Sequence, residues 1–210
     1  MDLLGERWTL LIVRELLIGP QRYSDLRDRL PGMWSNLLAQ RLRDLNEAGL
    51  VQRRELPPPA ARLVYELTER GRALEPAVYE LARWGLDLLD EPGDDVVPWH
   101  SLPLSLKTLV LVDALPDHAF RVACALDEGS WTARVAAPMA GLRPLARITV
   151  VEGLDDDAAV TLRGSVMTLL AARRGELTAS APAGVGLQLD GDAADVDLAA
   201  RLFGLRSLVA

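Results

Sequence analysis

Asn36, Gln40 and Arg43 combine the residue types and the spacing needed to read a polar surface. At about 100° per residue they fall, with Glu47, in one narrow sector of a helix, opposite Leu38, Leu42 and Leu45. An amide side chain pairs bidentately with adenine in a DNA major groove, and a guanidinium pairs with guanine or clamps a phosphate. The same sector on an arbitrary helix is only a solvated face, so the reading depends on the neighbouring elements. Candidates for catalysis are sparse. Asp155, Asp156 and Asp157 are consecutive acids that point alternately outward, a poor cation cage, and read as a solvated turn. Asp190-Gly191-Asp192 reads as a turn with an acidic cap for the next helix. His100 and His118 have no nucleophile near them in sequence, and Cys124 lies mid-strand on an apolar face, where a small core residue is the commoner outcome. No catalytic residue, metal site or cofactor is assigned, and the chain is not expected to be an enzyme.

The 210 residues suit one large domain or two small ones, and a hydrophobic content of 50% is ample for a core. The single cysteine excludes an internal disulfide and a cysteine-based zinc site. No stretch approaches the roughly 18 apolar residues of a membrane span, and the N-terminus lacks a signal-peptide pattern. A cytoplasmic location without a membrane partner is therefore expected. The net charge of −7 conceals an asymmetry: residues 21–62 carry eight arginines against five acids, whereas residues 93–210 carry ten basic against fifteen acidic residues. A basic segment in an acidic chain is the pattern of a local nucleic-acid contact.

The elements around that segment are short and ordered. "ERWTLLIVRELLIGP" predicts a helix stopped by Gly19-Pro20, with Trp8, Leu11, Ile12, Glu15 and Leu16 marking its period. "YSDLRDRLPG" predicts a second helix with Ser24 as its N-cap, and the leucine-bearing helix follows, released by Gly49. "LVQRREL" and "LVYELT" read as two strands joined by "PPPAAR", which can continue neither helix nor strand. Three helices and a hairpin with an arginine-bearing tip form the order of a winged helix-turn-helix, whose third helix enters the major groove while the wing follows the backbone. Arg22, Ser35, Asn36, Gln40, Arg43, Arg53, Arg54 and Arg62 are then the candidate contacts to double-stranded DNA, the wing arginines as phosphate clamps.

Over residues 3–85 the blocks Trp-Thr-Leu-Leu, Leu-Arg-Asp-Leu-(x)3-Gly-Leu-Val and Tyr-Glu-Leu-Thr-(x)2-Gly occur in order. This stretch resembles the HxlR-type branch of the MarR-like winged-helix transcription regulators. The resemblance implies a homodimer on a roughly palindromic operator, with dimer contacts from the first helix and from one long helix, "TERGRALEPAVYELARWGLDLL". Leu74, Val78, Leu81 and Leu88 independently make that last helix apolar enough to need a partner, whether a second copy or its own domain. The sequence departs from the pattern twice. The family usually begins about ten residues earlier, with an extension that often carries a cysteine, whereas Met1 here falls directly before the first helix, so that either the start is trimmed or dimerisation leans on the other helix. In addition, Trp34 stands where a small capping residue is usual. Trp34 is expected to pack on the second helix, with contact to a thymine methyl or a sugar as the alternative.

"LDEPGDDVVP" reads as a linker, giving domains at 1–90 and 99–210 joined by 91–98. "LPLSLKTLVLVDAL" predicts a helix and "HAFRVACALDEGSWTARVAA" a hairpin with Phe120, Val122, Cys124 and Leu126 on one face. Strands are predicted at "RITVVEG", "AAVTLRG" and "GVGLQLDGD", and helices at "SVMTLLAARRG" and "AADVDLAARLFGL". The fold class is α+β: a winged helix-turn-helix followed by a mainly antiparallel sheet with helices on one side. The string "DEGSWTARV" and the later run from "DAAVTLRGSVMTLLAARRG" to "DLAARLF" resemble the sterol carrier protein type two fold over most of residues 118–206, which implies an apolar tunnel for a lipid or another small hydrophobic ligand. Trp131, Val135, Met139, Met167, Leu170 and Phe203 are the candidate lining residues, with ordinary core packing as the alternative for each. The sequence thus points to a homodimeric operator-binding regulator modulated by a hydrophobic effector. Two alternatives stay open: a hydrophobic-ligand carrier or enzyme accessory that uses the winged helix only to dimerise, and a winged helix serving as a protein–protein module.

Overall fold

A computed structural model describes residues 3–57, 62–86, 102–176 and 186–205. The chain divides into two compact units, Met1–Ala82 and Arg83–Ala210. The expected linker at 91–98, and Leu88, lie outside the described residues.

In the first unit, helix α1 (Thr9–Ile18) buries Ile12, Val13 and Leu16 and ends at Gly19 before Pro20, a residue that cannot continue it. Trp8 lies just outside the helix, with a left-handed backbone at φ 78°. Helix α2 (Tyr23–Arg29) begins one residue before the expected Ser24 cap. Arg22 holds the cap position and donates its backbone N–H to the Asp25 carboxylate at 3.1 Å, so the acid three residues on satisfies the end that a serine was expected to cap. Helix α3 (Ser35–Glu47) buries Leu38, Leu42 and Leu45 at 2% exposure or less, each contributing about 1.5–3 kcal/mol of apolar burial. Beyond it Gly49 adopts φ 68°, which L side chains resist, and the Leu50 N–H turns back to the Leu45 carbonyl at 2.9 Å.

Strands β1 (Val51–Glu55) and β2 (Leu63–Leu67) pair antiparallel from Val51 opposite Leu67 to Glu55 opposite Leu63. Gln21 adds a bridge on the outer edge of β2 through two backbone bonds with Tyr65, at 2.9 and 2.7 Å. The hairpin therefore has a third contributor that the sequence did not announce. The long helix expected after β2 is two helices, α4 (Glu69–Arg72) and α5 (Glu75–Leu86). Pro76 explains the break, because within a continuous helix its ring would meet the carbonyl four residues earlier, whereas the first turn of a new helix accepts it. Gly71 is required where α4 meets the end of α3: a Cβ there would lie 2.0 Å from the Leu50 carbonyl oxygen.

The second unit holds α6 (Leu102–Leu109), β3 (Phe120–Leu126), β4 (Gly129–Val135), β5 (Ile148–Glu152), β6 (Val160–Gly164), α7 (Val166–Arg174), β7 (Gln188–Gly191) and α8 (Ala193–Phe203). Helix α6 stops short of the expected residue 115 because the Leu111 N–H leaves the helical ladder for the Leu202 carbonyl at 2.8 Å. The sheet order is β5-β4-β3-β6-β7, with β3 and β6 parallel and the other neighbours antiparallel. Val122, Cys124, Val160 and Leu162 face one core with Leu106, Leu169 and Phe203 of the helices. Of the opposite register, Arg121, Arg134, Thr149 and Arg163 are exposed, whereas Ala123 and Thr132 in the middle of the sheet are buried. Among the described residues no helix is long and apolar enough to cross a membrane.

Candidate nucleic-acid interface

The start of α3 is fixed from two directions. Met33 is buried just before it, and the Tyr23 hydroxyl, from the first turn of α2, donates to the Ser35 carbonyl at 2.7 Å. At its other end Asn46 donates through Nδ2 to the Val51 carbonyl at 3.0 Å, which ties the helix to the wing. Between these anchors Ser35, Asn36, Gln40 and Arg43 are all exposed, as is Glu47, on the side away from the buried leucines. Gln40 is held by its neighbours: Nε2 donates to Asp44 Oδ1 and Oε1 accepts from Arg43 Nη2, both at 2.7 Å. An amide has two N–H bonds and two lone pairs, so one of each remains for an adenine edge. Asp44 also accepts from Arg41 Nη1 at 3.0 Å, and Arg41 reaches the Glu6 carboxylate through Nη2. Periodicity exposes the polar face of α3, but it did not single out Asp44 as the residue that orients Gln40; the i,i+4 spacing was the available signal.

On the wing the three arginines differ. The Arg53 guanidinium lies over the Tyr65 ring, 5.8 Å from its centroid. Arg54 is clasped by Glu66, with Nε to Oε1 at 2.9 Å and Nη2 to Oε2 at 2.8 Å, and Gln52 Nε2 donates to the same carboxylate at 2.8 Å. Hydrogen bonds from Arg54 first, then Gln52, hold the Glu66 carboxyl below the usual carboxylate range. Arg54 is therefore already half of an ion pair rather than an open phosphate clamp. Arg62 is exposed at the entrance to β2, its carbonyl accepting from the Leu56 N–H at 2.8 Å. Arg22, at the start of α2, is exposed and within 4.0 Å of Asp25. The structure thus brings Ser35, Asn36, Gln40 and Arg43 onto one helix and Arg53, Arg54 and Arg62 onto one hairpin of the same unit.

Among the residues expected to line a ligand tunnel, Trp131, Val135, Leu170 and Phe203 are buried at 5% exposure or less in the core of the second unit, and Met167 packs partly buried against them. Met139 is not with them: it is 66% exposed, in the segment beyond β4 where the chain has left the sheet. Asp155 is not the solvated acid expected of a turn, since Arg134 Nη2 at 3.0 Å and Arg121 Nη1 at 3.5 Å converge on it. Asp190 sits 3.3 Å from Arg163 Nε. His118 is exposed beside Asp117, and His100 lies outside the described residues. Burial pushes the Cys124 thiol up to about 12. The candidate partner face divides: Leu74, just before α5, is half-buried and Val78 within it is buried, whereas Leu81 is 52% and Trp84 68% exposed.

The profile of a family described as HxlR-like helix-turn-helix matches residues 3–92. The HTH-type transcriptional regulator YodB of Bacillus subtilis is 38% identical over 95 residues, which cover 45% of this chain and 84% of that protein. The uncharacterized HTH-type regulator YvaP of the same organism is 38% identical over 90 residues, covering 43% of this chain and 83% of that one. Among solved structures, reduced YodB is 38% identical with a TM-score of 0.38, covering 44% of this chain and 90% of the other. The oxidized redox regulator HypR is 30% identical with a TM-score of 0.39, covering 42% and 92%.

Proposed function

Because the chain belongs to the HxlR-like helix-turn-helix family, we propose that it is a sequence-specific DNA-binding transcription regulator that acts in the cytoplasm as a homodimer. The observation that carries this reading is the row Asn36, Gln40 and Arg43, exposed on a helix whose opposite face is locked into the core, beside a wing that presents Arg53 and Arg62. Named relatives are transcriptional regulators, which supports a binding role over an enzymatic one. In the proposed complex the first turns of α3 enter the major groove and the wing arginines meet phosphates. Contacts with the second copy are assigned to α1, through the exposed Leu11, and to α5, through the exposed Leu81.

The second unit is proposed as a sterol-carrier-like domain that takes a small hydrophobic effector. Its sheet and the clustering of Trp131, Val135, Leu170 and Phe203 support that role. An effector that binds one dimer geometry better than another changes operator affinity by the difference, typically about 1–3 kcal/mol. The test is binding of the purified chain to its own promoter region at two salt concentrations, with and without a hydrophobic extract of the host cells. Tight, salt-sensitive binding that the extract alters is the expected result. Binding indifferent to the extract removes the effector, and no binding at either salt concentration removes the DNA reading.

A further inference from the structure

We propose that Trp34 is a specificity-determining residue of the DNA-contacting surface, its indole seated against the 5-methyl group of a thymine in the major groove. The proposal rests on the DNA-binding reading of α3. Trp34 is 82% exposed, the most exposed of the large apolar side chains among the described residues. It therefore does not pack on α2 as the sequence led us to expect.

The position makes that exposure informative. Trp34 is the N-cap of α3, with φ −68° and ψ 139°, and its carbonyl accepts from the Leu37 and Leu38 N–H groups at 2.9 and 3.0 Å. This backbone favours Ser, Thr, Asp or Asn, whose side chains accept from the first free N–H groups of a helix. An indole has a donor and no acceptor, and no side-chain cap bond is formed here. The sequence thus gives up helix capping and leaves a large apolar ring in water at one and the same residue. Neither choice helps the isolated protein fold, which indicates a role toward a partner.

The backbone that carries the ring is held in place. Met33 on one side is buried, and on the other the Ser35 carbonyl is held by the Tyr23 hydroxyl at 2.7 Å. A backbone fixed on both sides leaves only the two side-chain torsions of the indole to be ordered on binding. It stands at the N-terminal end of α3, immediately before the turn that carries Ser35 and Asn36, the end that enters the major groove in the proposed complex. In the major groove, thymine differs from cytosine partly by its methyl group, and an apolar side chain reads that difference.

The test begins by selecting preferred duplexes from a random pool with the full chain, then replaces each thymine of the selected site by uracil, which removes only the methyl. The wild type is expected to lose affinity by about fourfold at one thymine per half-site, the value of burying one methyl-sized group. Trp34→Ser should bind the selected site more weakly and be insensitive to uracil at that position, while its melting temperature stays level or rises, because serine restores the cap. Trp34→Phe should keep part of the methyl effect. A Trp34→Ser protein with wild-type affinity and undiminished uracil sensitivity would overturn the proposal and leave the DNA reading standing. Failure of the wild type to enrich any sequence would overturn both, and a fall in melting temperature for Trp34→Ser would assign the ring a packing role instead.

Discussion

Arg54 and Glu66 meet as two parallel bonds, Nε to Oε1 at 2.9 Å and Nη2 to Oε2 at 2.8 Å, across the two strands of the wing. The pair divides the wing arginines into one whose charge is already compensated and others whose charge is available to a phosphate. On the proposed DNA-binding reading, Arg62→Ala weakens binding at all sequences and lowers the salt slope by about 1. Arg54→Ala should change the slope by less than half as much. Anisotropy titrations of one duplex at several salt concentrations check both, and equal slopes for the two variants would mean that DNA breaks the ion pair.

The same pair makes the first unit sensitive to acid. The folded-state pKa of Glu66 lies below the ordinary carboxylate value of 4.5. Its contribution to stability is therefore complete above that ordinary value and is lost as pH falls through the lower, folded one. Thermal melts of the wild type and Glu66→Gln should differ most at neutral pH and converge as the pH is taken below 4.5. A gap that widened toward acid would contradict the sign.

Arg43 lies on the exposed face of α3 proposed to read DNA, and it positions the Gln40 amide through its 2.7 Å bond to Oε1. Arg43→Ala should cost about 1–3 kcal/mol at a selected operator and much less on random duplex, so that the ratio between them falls. If the ratio stayed constant, the reading face would have been placed on the wrong side of α3.

The proposed homodimer depends on the apolar surface of α5, where Leu81 is 52% and Trp84 68% exposed. A Leu81→Asp, Trp84→Asp double variant should sediment as a monomer at concentrations where the wild type is a dimer, since a carboxylate in an apolar interface is costly unless paired. An unchanged sedimentation coefficient would move the interface elsewhere.

Cys124 lies in the middle of β3 with no exposure, and burial pushes its thiol up to about 12. A thiol that stays protonated at neutral pH is a poor nucleophile. Diamide should therefore leave the proposed DNA binding of this chain unchanged, and Cys124 should react with thiol reagents only as the second unit unfolds. Rapid labelling of the native protein would show that β3 opens locally.

The sequence by itself determined which residues of α3 go inward and which stay out, because Leu38, Leu42 and Leu45 recur at the helical period and fix the opposite sector that holds Asn36, Gln40 and Arg43. It determined the end of α1 at Gly19-Pro20 and the β3–β4 hairpin in the same way, through a strong breaker in the first and through alternation about the turn after Leu126 in the second. The Pro76 break was also legible, and was hidden only by the apolar pattern that continues on both sides of it. Tertiary structure alone decided the rest. Arg54 finds Glu66 only once a particular register places the strands together, and no local rule connects two residues twelve apart along the chain. Gln21 joins the wing because α1 and α2 return it to the edge of β2, and Met139 leaves the core because β4 ends four residues before it. Trp34 is the sharpest case: its type predicts burial, yet the turn before α3 turns Met33 inward and leaves the indole in water. Periodicity is a property of one element, whereas pairing and exposure at the ends of elements depend on where other elements pass, and only the folded chain supplies that.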